Sequence, residues 1–136
     1  KLSDVNQSLD FDAVHLKGHA PHDKLIKSFA NSHFFIFPCQ WEEPFGMVIV
    51  ESMSVGTPVI SNNRGGIGEI IENNNDGFLI DCDNGAQPFI DTILRMLKDN
   101  AEYQIISKNA VNTVQDKFSW PIIRTAFSTN MYRIMN

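Results

Sequence analysis

Two glutamates lie on either side of a predicted helix start near the middle of the chain. Glu43 is in the loop before this helix, and Glu51 follows it by eight positions within an otherwise apolar run. A helix that is apolar nearly all round is buried, so the Glu51 carboxylate needs a partner or must face a cleft. We expect both glutamates to accept hydrogen bonds from ligand hydroxyls. The alternative for each is a core glutamate paired with a lysine or arginine, whereas Glu42 is expected to be solvated.

The helix start between these glutamates is suited to binding an anion. First-turn amides of a helix have no intrahelical partner and carry partial positive charge. A diphosphate placed there would accept hydrogen bonds from the backbone N–H groups of Gly46, Met47 and Val48. Gly46 has no side chain and permits close approach of the ligand. Nearby, Trp41 either lines the pocket or packs beside it, and Arg64 is expected to be solvated rather than to meet a phosphate.

Short apolar runs alternate with longer helical patterns along the chain, and this order predicts the elements that position the site. The predicted strands cover residues 13–17, 34–37, 58–61 and 77–80, and the strand at 34–37 is expected to be fully buried. The predicted helices cover residues 21–32, 46–55 and 66–72, two later amphipathic segments, and a final segment that begins after Ser119. All-apolar strands linked by helices are typical of a parallel sheet covered on both faces. Ligands of such sheets bind beyond the carboxyl ends of the strands, here the loops after Phe37, Ile60 and Gly18.

The composition limits the classes of function. The chain has 136 residues, the size of one domain, with 11 Lys and Arg against 16 Asp and Glu. A net charge of −5 gives no basic surface, so we exclude nucleic acid as a partner. No apolar run approaches the roughly 20 residues that span a membrane as a helix. Cys39 and Cys82 lack metal-ligand spacing, which indicates buried thiols in a reducing cytoplasm.

Two patterns resemble metal sites, and other interpretations are favoured for both. Asp81 and Asp83 are separated by one residue, as in an Asp-x-Asp metal motif, but they lie between a predicted strand and a predicted turn, where aspartates are common. His19 and His22 are three positions apart without a third ligand of suitable spacing, so we predict surface histidines. We therefore expect neither a metal nor a cofactor.

An ordered set of motifs resembles one enzyme family. Glu43 and Glu51, with Pro44, Phe45 and Gly46 between them, are similar to the paired-glutamate motif of retaining GT-B glycosyltransferases of family 4, also described as glycosyl transferases group 1. The resemblance continues through residues 51–53, 56–60, 65–71, 77–80 and 118–120, and it covers residues 14–132. It implies that residues 1–136 form a doubly wound, Rossmann-like α/β domain, the C-terminal, nucleotide-sugar-binding lobe of a GT-B fold.

The resemblance also implies a role for each matching residue. Glu43, the catalytic candidate, would hold hydroxyls of the donor sugar, and Glu51 would bind the ribose hydroxyls of the nucleotide. Backbone N–H groups would be presented to the sugar and the diphosphate by Phe45, Gly46, Met47 and Val48. The nucleotide base would lie along the loop formed by Gly18, His19 and Ala20. The donor pocket would be bordered by Gly65 and Gly66. Because attack in this family is expected from the front face, assisted by the leaving diphosphate, no side chain is nominated as a nucleophile.

The implied function is transfer of a hexose from a UDP- or GDP-sugar to an acceptor hydroxyl. The expected acceptor is a glycan or a lipid-linked saccharide of bacterial surface polysaccharide synthesis, in the cytoplasm at the inner face of the membrane. The alternative function is a non-catalytic nucleotide-binding or assembly module with the same lobe. A dinucleotide oxidoreductase is disfavoured because no Gly-x-Gly-x-x-Gly motif follows a predicted strand.

The chain departs from the family pattern before Val14. Family members have, upstream in this lobe, a strand ending in Gly-Arg and a nearby lysine, which neutralise the diphosphate, and an amino-terminal domain that binds the acceptor. We therefore expect a lobe that is incomplete at its N-terminus, inactive alone, and attached to membranes only through the missing domain. An unpaired strand edge at Val14 would be filled by upstream residues, by strand rearrangement or by a second copy of the chain, which would form a homodimer.

Overall fold

Helices and strands alternate along most of the chain, as the apolar pattern predicts. The computed structural model describes residues 13–15, 17–81 and 85–135. Its regular elements are α1 (His22–Ala30), β1 (Phe35–Phe37), α2 (Met47–Ser54), β2 (Val59–Asn62), α3 (Ile67–Ile70), β3 (Phe78–Ile80), α4 (Gln87–Lys98), α5 (Asn100–Thr113) and α6 (Trp120–Met135). A π-helical turn, Val114–Phe118, joins α5 to α6.

The three strands form one parallel sheet in the order β1-β2-β3. Phe35 is paired with Val59, and Ile60 is paired with Phe78. Because the strands are parallel, their carboxyl ends share one edge of the sheet. The loops that follow β1 and β2 therefore start side by side, which is where the sequence places the site.

Helices cover both faces of this sheet. Consecutive residues of a strand face opposite sides. Val59 belongs to a core cluster with Ile49 of α2, and the next residue, Ile60, packs on the other face with Phe89 and Met96 of α4. Burying each such aliphatic side chain contributes about 1.5–3 kcal/mol relative to leaving it exposed. The predicted doubly wound α/β fold is therefore confirmed.

The strand predicted at residues 13–17 is wrong for the residues that the structure describes there. Ala13 lies in a turn, Val14, His15 and Lys17 belong to no strand, and Leu16 lies outside the described residues. An apolar run becomes a parallel strand only where a neighbouring strand accepts its hydrogen bonds. In the described sheet, β1 and β3 are the edges and each pairs with β2 alone.

The prediction that residues 34–37 form a fully buried strand is also wrong. Ile36, in the middle of β1, is 44% exposed. Ile36 is paired with Ile60 on the same face of the sheet, but α4 covers Ile60 and leaves Ile36 exposed. Ile36 instead lines an open cavity of about 590 Å³, together with Asn62 and Phe89.

The C-terminal helix forms where Ser119 predicts it but contributes nothing to the core. Ser119 is extended and α6 follows at once. Its large apolar side chains, Trp120, Phe127 and Ile134 among them, are exposed. Within the described part of the chain, no helix is both long and apolar enough to cross a membrane.

Candidate functional site

Two loops at the carboxyl edge of the sheet are joined by hydrogen bonds. One loop follows β1 and carries the paired glutamates, and the other follows β2. The backbone N–H of Gly66 donates to the carbonyl oxygen of Glu43 at 2.7 Å. The backbone N–H of Gly65 donates to Oε2 of Glu42, also at 2.7 Å. The predicted site residues Glu43, Gly65 and Gly66 are therefore brought together.

The two glycines allow the loops to pack backbone against backbone. A Cβ atom at Gly66 would lie 2.5 Å from the carbonyl oxygen of Pro44, and a Cβ at Gly65 would overlap the carbonyl oxygen of Glu43. Gly65 also has a φ of 55°, a conformation that favours glycine. Neither position has room for a side chain, so the glycines determine how closely the second loop approaches Glu43.

Glu42 and Arg64 form a second contact between these loops. Oε1 of Glu42 lies 3.7 Å from Nη1 of Arg64. Glu42 is largely exposed and Arg64 is half-buried, so solvent screens this pair and it contributes little to stability. Glu42 is solvated as expected, with 73% of its side chain exposed, and its carboxylate also accepts the hydrogen bond from Gly65 N.

Trp41 holds the side chain of Glu43. Its indole Nε1 donates to Oε2 of Glu43 at 3.0 Å. The indole ring also packs edge-on against Phe37, at a centroid distance of 6.2 Å. The structure shows Trp41 in the packing role, one of the two interpretations from the sequence. The sequence did not predict its contact with Glu43. The contact orients the carboxylate of Glu43 from the same loop.

Two backbone N–H groups at the start of α2 have no acceptor within the helix. Gly46 caps the helix with a φ of 88°, and the first hydrogen bond of the turn runs from Ile49 N to Gly46 O at 2.9 Å. The N–H groups of Met47 and Val48 precede this bond and have no intrahelical acceptor. The Met47 side chain is 61% exposed, so the prediction that α2 is buried nearly all round is wrong. The first turn of α2 reaches the open edge of the sheet, and the burial begins at Ile49.

The ring of Phe45 contacts the far end of the chain. It packs in a T-shaped geometry on Phe118 of the π-helical turn, with ring centroids 5.7 Å apart. This packing fixes the ring of Phe45, which precedes the N-cap glycine of α2. No sequence pattern identified the pair, because the two residues are far apart in the chain.

Glu51 lies about 6 Å along α2 from its first residue, by the rise of a helix. Its side chain is 20% exposed, and its Oε1 lies 2.9 Å from Nε2 of His22. A carboxylate only accepts hydrogen bonds, so Nε2 of His22 carries the donated hydrogen. The partner is thus neither the lysine nor the arginine of the core interpretation. His22 is exposed, as predicted, but it is not a solitary surface histidine.

The loop predicted to lie along a nucleotide base precedes α1. Gly18 has a φ of 64°, Gly18 and His19 are exposed, and Ala20 is half-buried. Two residues later, His22 begins α1 and contacts Glu51. This contact links the loop to α2.

One titratable side chain with a shifted pKa, that of Tyr103, lies away from this edge. Burial raises the pKa of Tyr103, whose hydroxyl donates to the carbonyl of His33 at 2.9 Å, near the amino end of β1. In the described ranges, no three His, Cys, Asp or Glu side chains are grouped to hold a metal ion. Cys82 and Asp83 of the Asp-x-Asp pattern lie outside those ranges.

Comparison with known protein families identifies the family that the sequence motifs resemble. The family described as glycosyl transferases group 1 matches residues 2–113. The lipopolysaccharide 1,2-N-acetylglucosaminetransferase of Salmonella typhimurium is 30% identical over 131 residues, which cover 96% of this chain and 34% of that protein.

Solved structures agree with this match. HepE of Anabaena, in complex with UDP-glucose, superposes with a TM-score of 0.73 at 26% identity, over 80% of this chain and 30% of that one. Sucrose-phosphate synthase of Thermosynechococcus elongatus gives a TM-score of 0.81 at 28% identity, over 91% and 31%. The likeness confirms the predicted fold class, that of the C-terminal lobe of a GT-B protein. The chain spans about a third of the length of these proteins.

Proposed function

Because this chain belongs to the glycosyl transferases group 1 family, we propose that it is the donor-binding lobe of a retaining glycosyltransferase of family 4. The whole protein would transfer a hexose from a UDP- or GDP-sugar to an acceptor hydroxyl. The observation that carries the proposal is the pairing of an oriented carboxylate with open helix amides. Glu43, held by Trp41, lies in the loop that leads into the free N–H groups of Met47 and Val48.

The proposed donor position follows from these groups. The diphosphate lies at the start of α2, where unpaired amides and the helix dipole favour negative charge. The sugar lies next to Glu43, and Gly65 and Gly66 border it. The ribose reaches Glu51, and the base lies along residues 18–20. No metal and no cofactor take part in this arrangement.

Catalysis in this proposal depends on stabilising the leaving group. When the bond between the sugar and the β-phosphate breaks, negative charge develops on the diphosphate. The amides of Met47 and Val48 are already oriented towards it and do not have to reorganise. Glu43 fixes the sugar hydroxyls so that the acceptor approaches the same face that the diphosphate leaves. The acceptor oxygen forms the new bond to the anomeric carbon, and the departing phosphate oxygen takes the proton of the acceptor hydroxyl. No side chain acts as a nucleophile.

The relatives support the classes of donor and acceptor. HepE was solved with UDP-glucose, which favours a uridine diphosphate sugar as the donor. The Salmonella relative is named for a step of lipopolysaccharide assembly, which favours a saccharide acceptor. We place the reaction in bacterial surface polysaccharide synthesis, on a lipid-linked acceptor at the cytoplasmic face of the inner membrane.

Donor binding is expected to survive removal of divalent metals, because helix amides rather than an ion meet the diphosphate. The experiment is calorimetric titration of the full-length protein with UDP-glucose, GDP-mannose and ADP-glucose, each with and without excess EDTA. One of the uridine or guanosine donors should bind with the same affinity in both buffers. A large loss of affinity in EDTA would contradict metal-free binding, and no binding of any donor would overturn the proposed function. Donor binding without product, when acceptors are supplied, would favour the non-catalytic module.

Replacing Trp41 with phenylalanine should weaken donor binding without unfolding the loop. The substitution removes the hydrogen bond to Glu43 but retains an aromatic ring against Phe37. Loss of one hydrogen bond in a partly exposed site predicts about a 2- to 10-fold lower donor affinity. Nucleoside diphosphate affinity and the melting midpoint should be unchanged, because neither depends on Glu43. Equal donor affinity in wild type and W41F would show that Trp41 only packs on Phe37.

A further inference from the structure

We propose that His22 is a positioning residue for Glu51. Its imidazole holds one carboxylate oxygen, so that the other oxygen is presented to the ribose hydroxyls of the nucleotide. The inference rests on the proposed function, in which Glu51 binds the ribose. His22 lies outside the motifs from which the sequence predicted the site.

The geometry assigns the two oxygens of Glu51 different tasks. Oε1 accepts from Nε2 of His22 at 2.9 Å. Oε2 has no hydrogen-bond partner among the described residues, and the Glu51 side chain is 20% exposed, so part of it is open to solvent. A glutamate side chain without a partner samples several rotamers. A ligand that requires one of them binds less tightly, because fixing the rotamer costs conformational entropy. The hydrogen bond to His22 fixes the rotamer of Glu51 before the ligand binds.

The fold links the two helices that carry this contact, with the link on α1 at the end opposite to His22. The last turn of α1 is anchored by the buried hydroxyl of Thr57, which donates to the carbonyl of Phe29 at 2.7 Å. On α2, Ser52 follows Glu51 directly, and its buried hydroxyl donates to the carbonyl of Thr57 at 3.0 Å. Thr57 thus joins the helix that carries His22 to the helix that carries Glu51. A pair supported in this way keeps its geometry better than two free surface side chains.

The proposed role does not need a charged histidine. A neutral imidazole with hydrogen on Nε2 donates to a carboxylate as a protonated one does. Because His22 is 69% exposed, solvent limits the strength of the contact. The expected effect on nucleotide affinity is therefore modest, and it should be specific to ligands that carry ribose hydroxyls.

The test compares UDP with 2′,3′-dideoxy-UDP, or the guanosine pair if the donor screen selects guanine, in the full-length protein. His22→Ala should weaken UDP binding about 2- to 5-fold, the range for an exposed ionic contact, and leave the dideoxy nucleotide unchanged. His22→Gln should restore most of the UDP affinity, because its amide N–H can donate to Oε1. The matched control is His33→Ala, an exposed histidine beyond the other end of α1, which should bind both nucleotides as wild type does.

The outcomes separate this inference from the function on which it rests. If Glu51→Gln weakens UDP while His22→Ala does not, the positioning role is wrong and the ribose site remains. If His22→Ala weakens both nucleotides equally, or lowers the melting midpoint, His22 stabilises the fold rather than the carboxylate, and the proposal fails. If Glu51→Gln leaves UDP affinity unchanged, both the ribose site and the role of His22 are overturned.

Discussion

Gly66→Ala in the full-length protein is expected to lower both the stability of the lobe and the rate of sugar transfer. Gly66 has φ −75° and ψ −1°, which alanine adopts without strain. Its added methyl group would lie 2.5 Å from the carbonyl oxygen of Pro44, a backbone atom that cannot rotate away. Overpacking of this kind costs about 1–3 kcal/mol. Displacing the Glu43 loop should slow transfer by about 10- to 100-fold, since catalysis is sensitive to shifts near 1 Å.

Gly65→Ala should be more damaging than Gly66→Ala. It adds the same kind of clash, here with the carbonyl oxygen of Glu43, to a backbone with a φ of 55°. A left-handed conformation costs a residue with a side chain about 1–2 kcal/mol. Gly85→Ala measures that strain alone, because its φ is 64° and nothing lies within 4 Å of an added Cβ.

The control for Gly66→Ala is Gly68→Ala. An added Cβ at Gly68 meets only the side-chain amide of Asn63, which can turn aside. Denaturant melts and initial transfer rates of the four alanine variants measure the two effects. Gly85→Ala and Gly68→Ala should keep the wild-type rate, and Gly65→Ala and Gly66→Ala should not. Wild-type behaviour of Gly66→Ala would show that the two loops are free to separate and do not fix Glu43.

The sequence predicted those helices and strands whose formation depends on a few neighbouring residues. The apolar runs at β1, β2 and β3 and the glycine that begins α2 determine backbone preferences within a few residues. The run at residues 13–17 has the same pattern and is not a strand where it is described. Pairing depends on a neighbour that the pattern does not contain. The exposure of Ile36 likewise depends on where α4 packs, which the strand pattern does not contain.

The long-range contacts of the site were not predictable from one sequence. The motif places Gly65 and Gly66 near Glu43 only by analogy, whereas the structure shows backbone contact. The sequence does not predict the contact between His22 and Glu51, because the two residues are 29 positions apart and belong to no common motif.

Asp76 shows the same limit in the core. Residues 73–77 consist of three asparagines, Asp76 and a glycine, which predicts a turn, but the aspartate is fully buried. It accepts hydrogen bonds from the backbone of Glu72 at 2.8 Å and from the hydroxyl of Thr113 at 2.6 Å. The composition of the turn predicts its shape, and only the packing of α5 explains why the carboxylate is buried there.

The paired glutamates should respond differently to substitution, and this difference tests the donor arrangement most directly. Glu51→Gln should weaken the nucleoside diphosphate and the intact donor alike, since both contain the ribose. Glu43→Gln should weaken the donor or its transfer, and leave the nucleoside diphosphate nearly unchanged. A hydrogen bond to a charged group contributes about 1.5–3 kcal/mol, which corresponds to about a 10- to 150-fold loss for each.

The stability of Glu51→Gln distinguishes a ligand group from a core residue. Stranding a buried cation by removing its partner costs about 3–5 kcal/mol. The partner found here, His22, is exposed, and the amide oxygen of glutamine can still accept from its Nε2. The free energy of unfolding should therefore fall little. Glu102→Gln is the control for loss of a surface carboxylate, because Glu102 contacts only Arg95 across 3.6 Å among the ion pairs of the described chain.

Calorimetric titration of the full-length protein with diphosphate and with donor, beside denaturant melts, measures both quantities. The expected result is a shared loss for Glu51→Gln, a donor-specific loss for Glu43→Gln, and wild-type binding for Glu102→Gln. Both site variants should melt near wild type. Unchanged diphosphate affinity in Glu51→Gln together with a collapsed melting midpoint would instead make Glu51 a structural residue. The ribose would then have to be bound elsewhere, because Glu51 is the only carboxylate that α2 carries.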